Sequence, residues 1–333
     1  MHHELMVHGG AKVKAPIWPS FKGQSQLVGS STNGRVTVYV DSKLGAPALQ
    51  NAKDLVADSD RVVSENDTIF GTTGGPFNVI IFALNGATDG TGGADHMGCD
   101  YSTGADIEVC AAFGQSNRVS ALFEAELSEC SMKGNLCGLS TGEALSRWCS
   151  SVTSNDALAD FASAPDWASN GMPDFVNRTD PTDQNPISIG CGMAFLSWLI
   201  SMGNPLGKIA PTMVELGNSG TLAQLYSRLT VKAPSEAWPA FQSAIVALPG
   251  GVTSDDPFGG SSAGAHLSYL APESISLAGE VFASILADLS ANKSPEEILT
   301  GMQALINPKR VSNGAGSASG CCKGESRRLL SPR

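Results

Sequence analysis

The alternation of apolar and polar positions predicts regular structure from residue 35 onward. Residues 35–40 alternate with period two, as a half-buried strand does. Residues 47–66 carry apolar side chains at spacings of three and four, which predicts an amphipathic helix. Residues 78–84 form a continuous apolar run between turns, which is typical of a strand buried on both faces. Strand, helix and strand in this order begin an α/β sheet.

The pattern after residue 84 predicts a Gly-rich loop, one more strand and then helices. The loop covers residues 85–100 and the strand covers residues 107–112. Helices are predicted at 119–132, from Ser140, around 195–198, and at 222–229, 237–248, 275–289 and 295–306. We therefore predict an α/β to α+β fold, in which helices pack on a small mixed sheet and the C-terminal half is helical.

The 333 residues suffice for one large domain or two modest ones. The predicted organisation is an extension at 1–30, a main α/β domain at 31–250, a helical segment at 251–310 and a disordered tail at 311–333.

The charge balance narrows the set of partners. The formal net charge is −11 at pH 7, whereas nucleic acids and anionic membranes are bound by concentrated Lys and Arg. No apolar stretch reaches the roughly 18 residues that a membrane span needs. We expect a small-molecule or peptide substrate and no nucleic-acid partner, and the sequence does not indicate an oligomeric state.

Eight cysteines are present, and six of them crowd into the middle of the chain without a C-x-x-C pair: Cys99, Cys110, Cys130, Cys137, Cys149 and Cys191. This density predicts three disulfides and therefore an oxidising compartment, so that the protein would be secreted or periplasmic. Proximity in sequence favours the pairs Cys99–Cys110, Cys130–Cys137 and Cys149–Cys191.

The helix at 119–132 places a carboxylate among apolar side chains. On a helical wheel, Glu126 lies near the middle of an apolar arc formed by Val119, Leu122, Phe123, Leu127 and Cys130. Burial of an unpaired carboxylate costs several kcal/mol, so such a group is usually paired, metal-bound or protonated. Glu126 is therefore either a functional acid or a satisfied structural one. Glu129 lies at the edge of the same face, and Glu124 lies on the other side.

The Gly-rich loop offers a second candidate site. Asp89, Asp95 and Asp100 supply the oxygen ligands that calcium prefers, although their spacing differs from that of an EF-hand. The alternative is that these aspartates cap turns. His96 lies between two of the acids, and it is either a hydrogen-bonded structural residue or the proton carrier of an active site.

Two further signals have structural explanations. Glu143 would complete a capping box that starts at Ser140 and would pair with Arg147 four residues later, or it would bind a metal. Residues 260–264 fit the G-x-S-x-G pattern of serine esterases with Ser262 as nucleophile, and residues 7–10 fit an oxyanion segment. The loop-like sequence before Ser262 and the position of His266, only four residues later, argue against a catalytic triad.

The order of these elements, with Ala125-Glu-Leu-Ser-Glu129 on one helix and Gly142-Glu-Ala-Leu-Ser-Arg147 on the next, resembles the zincin metallopeptidases. There, His-Glu-x-x-His supplies two zinc ligands and a general base. The resemblance implies that Glu126 is the base and Glu143 a late metal ligand. Because Ala125 and Glu129 occupy the histidine positions, it also implies either an oxygen-bound metal or a scaffold without peptidase chemistry.

Four strings look like a group of exported bacterial proteins of unassigned function, and this likeness supports export. They begin at Gly92 (Gly-Gly-Ala-Asp-His-Met-Gly-Cys-Asp-Tyr), at Phe123 (Phe-Glu-Ala-Glu-Leu-Ser-Glu), at Ser140 (Ser-Thr-Gly-Glu-Ala-Leu-Ser-Arg) and at Asp180 (Asp-Pro-Thr-Asp-Gln-Asn).

Together these patterns predict an exported, metal-dependent hydrolase that attacks a peptide, ester or lactone carbonyl. Glu126 would be base or metal ligand, Glu129 and His96 would assist, and Asp89, Asp95, Asp100 and Glu143 would hold a divalent cation, with calcium favoured over zinc. The alternatives are a non-catalytic, calcium-stabilised exported binding protein and a serine ester or lactone hydrolase that uses Ser262.

Overall fold

The computed structural model describes residues 15–259, which contain five strands and eight α-helices. The strands are β1 (Ser25–Ser30), β2 (Val36–Asp41), β3 (Phe77–Phe82), β4 (Ala94–Met97) and β5 (Asp106–Cys110). The helices are α1 (Gly45–Phe70), α2 (Ser116–Ser131), α3 (Ser140–Ser154), α4 (Ala164–Ser169), α5 (Pro186–Ser201), α6 (Leu206–Leu216), α7 (Leu222–Thr230) and α8 (Ala237–Val246). The predicted mixed α/β class is confirmed.

The five strands form one mixed sheet in the order β1-β2-β3-β5-β4. Strands β2, β3 and β5 are parallel, whereas β1 and β4 are antiparallel edge strands. Helix α1 provides the crossover that parallel neighbours β2 and β3 require. Val79, Ile80 and Ile81 of β3 are fully buried, which explains the continuous apolar run in the sequence.

Two strands lie where the sequence predicts none. Strand β1 falls within the predicted extension, and β4 falls within the predicted Gly-rich loop. Both are edge strands, and β4 has only four residues, which is too short for a clear alternation. Strand β4 matters for the site because it fixes His96 to the sheet.

Helices α4 and α6 were also not predicted. The predicted helices at 275–289 and 295–306, the tail at 311–333, Ser262 and residues 7–10 lie outside the described residues. Within residues 15–259, no helix combines the length and the hydropathy needed to cross a membrane.

The predicted disulfides are wrong for the six cysteines that the structure describes. None of them is disulfide-bonded, and the closest sulfur pair given by the structure joins Cys99 to Cys137, 3.8 Å apart. An S–S bond is about 2.05 Å long. Cys110, Cys149 and Cys191 are instead buried thiols in β5, α3 and α5. Export, which rested partly on these disulfides, stays a prediction.

Helix α2 is the central element of the fold. It packs against α1, α3 and β5, and every residue from Arg118 to Ser131 is buried. The predicted inward orientation of Glu126 is confirmed, since its side chain is fully buried. The predicted apolar arc is only part of the buried surface, because Glu124 on the opposite side is equally buried.

The segment before β1 is fastened to the sheet by a buried carboxylate. Glu108 of β5 accepts hydrogen bonds from Ser20 N (2.8 Å), Ser20 Oγ (2.6 Å) and Phe21 N (2.5 Å). The rings of Trp18 and Phe21 then pack against Tyr39 and Phe82. Residues 17–21 are therefore part of the fold and not a detached extension.

Candidate metal centre

His96 is presented to α2 from the edge of the sheet. It pairs with Ile107 across the β4–β5 ladder, and it is only 6% exposed. Its Nδ1 lies 2.7 Å from the carbonyl oxygen of Gly98. A carbonyl can only accept, so Nδ1 carries the proton and Nε2 carries the lone pair of the neutral ring. Metal-binding histidines are commonly oriented by such a bond to a backbone carbonyl.

Two carboxylates of α2 face this Nε2 atom. Glu126 Oε2 lies 4.0 Å from it and Glu129 Oε2 lies 3.7 Å from it. Residues three apart on a helix share one face, so both carboxylates reach the same imidazole. The structure therefore brings together the three predicted catalytic residues, whose ligand atoms lie close enough to hold a metal ion.

Glu126 is the most unusual of the three residues. Its side chain is fully buried, and neither carboxylate oxygen has a hydrogen-bond partner among residues 15–259. Burial raises the pKa of Glu126 well above its ordinary value, and the charge of Glu129 raises it further. A buried carboxylate without partners is costly unless a proton or a cation satisfies it.

The surroundings carry an excess of negative charge. Burial raises the pKa of Asp95 to about 6. Burial by itself would lower the pKa of His96, but the neighbouring Cys130, Cys137 and Glu129 raise it well above its usual value. One imidazole therefore faces several acids, and such an arrangement favours a bound cation.

Glu143 lies on α3 and is electrostatically linked to the same acids. Its Oε1 accepts a hydrogen bond from Arg147 Nε at 2.7 Å, which confirms the predicted pair. The predicted capping box does not form, because the N-cap of α3 is Leu139 and no side chain caps this end. Burial raises the pKa of Glu143 to about 8, and Glu129 contributes to this rise. Glu143 thus belongs to the acidic surroundings of His96.

Two thiols form a second group with His96. The ligand atoms of His96, Cys99 and Cys137 lie within 4.8 Å of one another. Cys99 lies two residues after the end of β4, whereas Cys137 lies in the connection between α2 and α3. That connection has four residues with positive φ: Lys133, Gly134, Leu136 and Gly138. Such a backbone is unfavourable for Lys and Leu and persists where the surrounding structure fixes it.

Gly142 allows α3 to approach this connection closely. A Cβ atom at Gly142 would lie 2.2 Å from the carbonyl oxygen of Leu136, well inside contact distance. The glycine therefore fixes the position of the segment that carries Cys137.

Cys99 and Cys137 were not predicted as ligands, because the density of cysteines in the sequence predicts disulfides. They are 38 residues apart and join the site only through the fold. The one available signal was the three-residue spacing of His96 and Cys99.

The proposed calcium ligands are not brought together in the part of the chain that the structure describes. Asp89 accepts hydrogen bonds from the backbone and hydroxyl of Thr91, and Asp100 does the same with Ser102. Asp95 accepts from the backbone of His96. None of the three belongs to a group whose atoms could hold a metal ion. Asp89 and Asp100 thus cap turns, as the alternative predicts.

Comparisons with known proteins give little further information. No protein-family model matches the chain, and no curated protein matches it. Among solved structures, yeast LTA4 hydrolase in complex with bestatin is similar at 12% sequence identity and a TM-score of 0.34. The match covers 68% of this chain and 38% of that protein. A similarity this low assigns no activity, so the function is argued from the site alone.

Proposed function

We propose that the protein is a metal-dependent hydrolase whose centre is formed by His96, Glu126 and Glu129. The observation that carries the proposal is Glu126, a fully buried carboxylate whose oxygens have no hydrogen-bond partner in residues 15–259 and lie beside an oriented imidazole. Perturbed acids of this kind concentrate at functional sites. The ion-pair partner of Glu126 in the described residues is His96, whose Nε2 lies 4.0 Å away, and this imidazole must be neutral to bind a metal ion.

The bound ion and Glu126 would have different roles in hydrolysis of a carbonyl substrate. A divalent ion supplies Lewis acidity, which polarises a carbonyl group and acidifies water. Glu126 accepts the proton of the attacking water while the water oxygen bonds to the carbonyl carbon. The proton then passes to the leaving oxygen or nitrogen as its bond to that carbon breaks. Burial raises the pKa of Glu126, and a more basic carboxylate is a stronger proton acceptor.

Burial limits the substrate. His96 and Glu126 are buried, whereas Cys99 and Cys137 are partly exposed. A substrate therefore approaches from the side of the two thiols and presents a small carbonyl group. An ester, a lactone or an extended peptide meets this requirement.

The same burial favours a second candidate, a non-catalytic protein in which the ion is structural. His96, Glu126 and Glu129 are each no more than 6% exposed. An ion bound there ties β4 to α2 and stabilises the fold by mass action.

Turnover and metal content together test the hydrolase. We expect stoichiometric metal, hydrolysis of at least one member of a panel of peptides, esters and lactones, and loss of hydrolysis on chelation. Glu126→Gln should lower the rate by about 10²–10⁴-fold, the usual contribution of a general base. Glu124→Gln is the matched control, because it removes an equally buried carboxylate from the same helix and should keep its activity.

Two results would count against the hydrolase. A protein with bound metal and no turnover on the whole panel would support the structural role instead. Equal losses of activity in the two glutamine variants would show a general effect of α2 and not a base at residue 126.

A further inference from the structure

We infer that the ion of this centre is zinc, bound by His96, Cys99 and Cys137, with Glu126 left outside the ligand set as the base. The role of Glu126 as base rests on the proposed function. The binding of zinc by His96, Cys99 and Cys137 does not. It replaces the expected calcium by an ion of different chemistry.

The distance between the two sulfur atoms supports zinc. Cys99 Sγ and Cys137 Sγ are 3.8 Å apart. Tetrahedral zinc with Zn–S bonds of about 2.3 Å separates two sulfur ligands by about 3.8 Å. The spacing is therefore that of two corners of a zinc tetrahedron, and His96 lies within 4.8 Å of both as a third corner.

The kinds of ligand also select zinc over calcium. Calcium takes six to eight oxygen ligands, whereas this centre offers an imidazole, two thiols and the carboxylates of Glu126 and Glu129. Thiolate and imidazole together suit zinc and other thiophilic ions. Cys99 and Cys137 each lose a proton to solvent on binding, and their two negative charges balance the charge of Zn²⁺.

Three protein ligands are the number found in catalytic zinc sites, which keep one position for water or substrate. Glu126 and Glu129 would border this position, since their carboxylate oxygens lie 4.0 Å and 3.7 Å from His96 Nε2. The carboxylate that is unpartnered in the protein thereby acquires a role as proton acceptor. Cys130, whose Sγ is 3.1 Å from His96 Nδ1, helps to orient the ring.

Cobalt substitution tests the ligand set without any substrate. The full-length chain, freed of metal by chelation, is titrated with Co²⁺ and its near-ultraviolet absorption is recorded. We expect a sulfur-to-cobalt charge-transfer band that Zn²⁺ abolishes at one equivalent. Cys99→Ser and Cys137→Ser should weaken the band and lower zinc affinity by more than about 100-fold, the upper end of the loss seen for residues that only support ligands. Glu126→Gln and the control Cys191→Ser, a thiol buried in α5, should retain both.

Alkylation of the wild-type protein covers the case in which a serine variant fails to fold. Zinc should protect Cys99 and Cys137 from iodoacetamide, as measured by mass spectrometry of the digested peptides. Unchanged alkylation in the presence of zinc would overturn the inference, as would cobalt binding without the charge-transfer band. Either result leaves open a hydrolase whose metal is bound by oxygen and imidazole. A zinc-sensitive band in a protein without turnover would instead retain the zinc site and remove the hydrolase.

Discussion

Replacement of Glu108 by alanine is expected to lower the free energy of unfolding by about 3–5 kcal/mol, since hydrogen bonds to a charged group contribute about 1.5–3 kcal/mol each. The carboxylate accepts three such bonds from Ser20 and Phe21. Its loss leaves two backbone N–H groups without their acceptor and releases Trp18 and Phe21 from the sheet. Urea denaturation monitored by tryptophan fluorescence measures the change.

Limited proteolysis can test separately whether Glu108→Ala releases the segment before β1. Trypsin should cleave after Lys22 faster in Glu108→Ala than in the wild type, because the segment before β1 is no longer held. Glu108→Gln keeps one oxygen acceptor and should have an intermediate stability. An unchanged urea midpoint in the alanine variant would contradict this account of the segment.

Replacement of Glu124 by methionine is expected to stabilise the protein by about 1–3 kcal/mol at pH 8, the cost of a buried polar group without a hydrogen-bond partner. Glu124 is fully buried, and neither of its oxygens has a hydrogen-bond partner in the described part of the chain. Burial raises its pKa well above the ordinary value, and the nearby Glu65 raises it further. Methionine fills a similar volume without a charge.

The stabilisation by Glu124→Met should increase as the pH rises. Between the ordinary pKa of 4.5 and the raised one, the native protein holds a proton that the unfolded chain releases. The wild type therefore loses stability as the pH rises through this interval. Glu124→Met removes the slope, so its advantage should be small at pH 4 and larger at pH 8. Urea titrations of both proteins at these two pH values measure it, and an advantage that shrinks at pH 8 would refute the argument.

The parallel part of the fold could be predicted from the sequence because its signals are local. The apolar run around Val79 and the helical spacing of α1 each fall within a single element. The edge strands β1 and β4 could not be predicted, since their pairing depends on neighbours that are distant in the chain. The sequence of residues 94–97 in particular has the pattern of a loop, and the segment is a strand only because it pairs with β5.

In the candidate site, too, the features with a local sequence signal could be predicted and those that depend on distant segments could not. The burial of Glu126 follows from one helix, so a helical wheel could predict it. The meeting of Cys99 with Cys137 depends on the turn after β4 and on the connection between α2 and α3, and no pattern within either segment indicates it. The aspartates of the Gly-rich loop lie close in sequence, but Asp89 and Asp100 accept hydrogen bonds within their own turns, and the sequence could not distinguish that role from metal binding.

The burial of most of α2 also constrains how an ion can reach the site. Every residue over Arg118–Ser131 is buried, and Glu124, Glu126 and Glu129 are at most 4% exposed once α1 and α3 pack around them. A cation then has two routes to Glu126: capture while the chain is still folding, or later passage past the partly exposed Cys99 and Cys137. Loading should accordingly be slow in the finished protein and fast during its refolding.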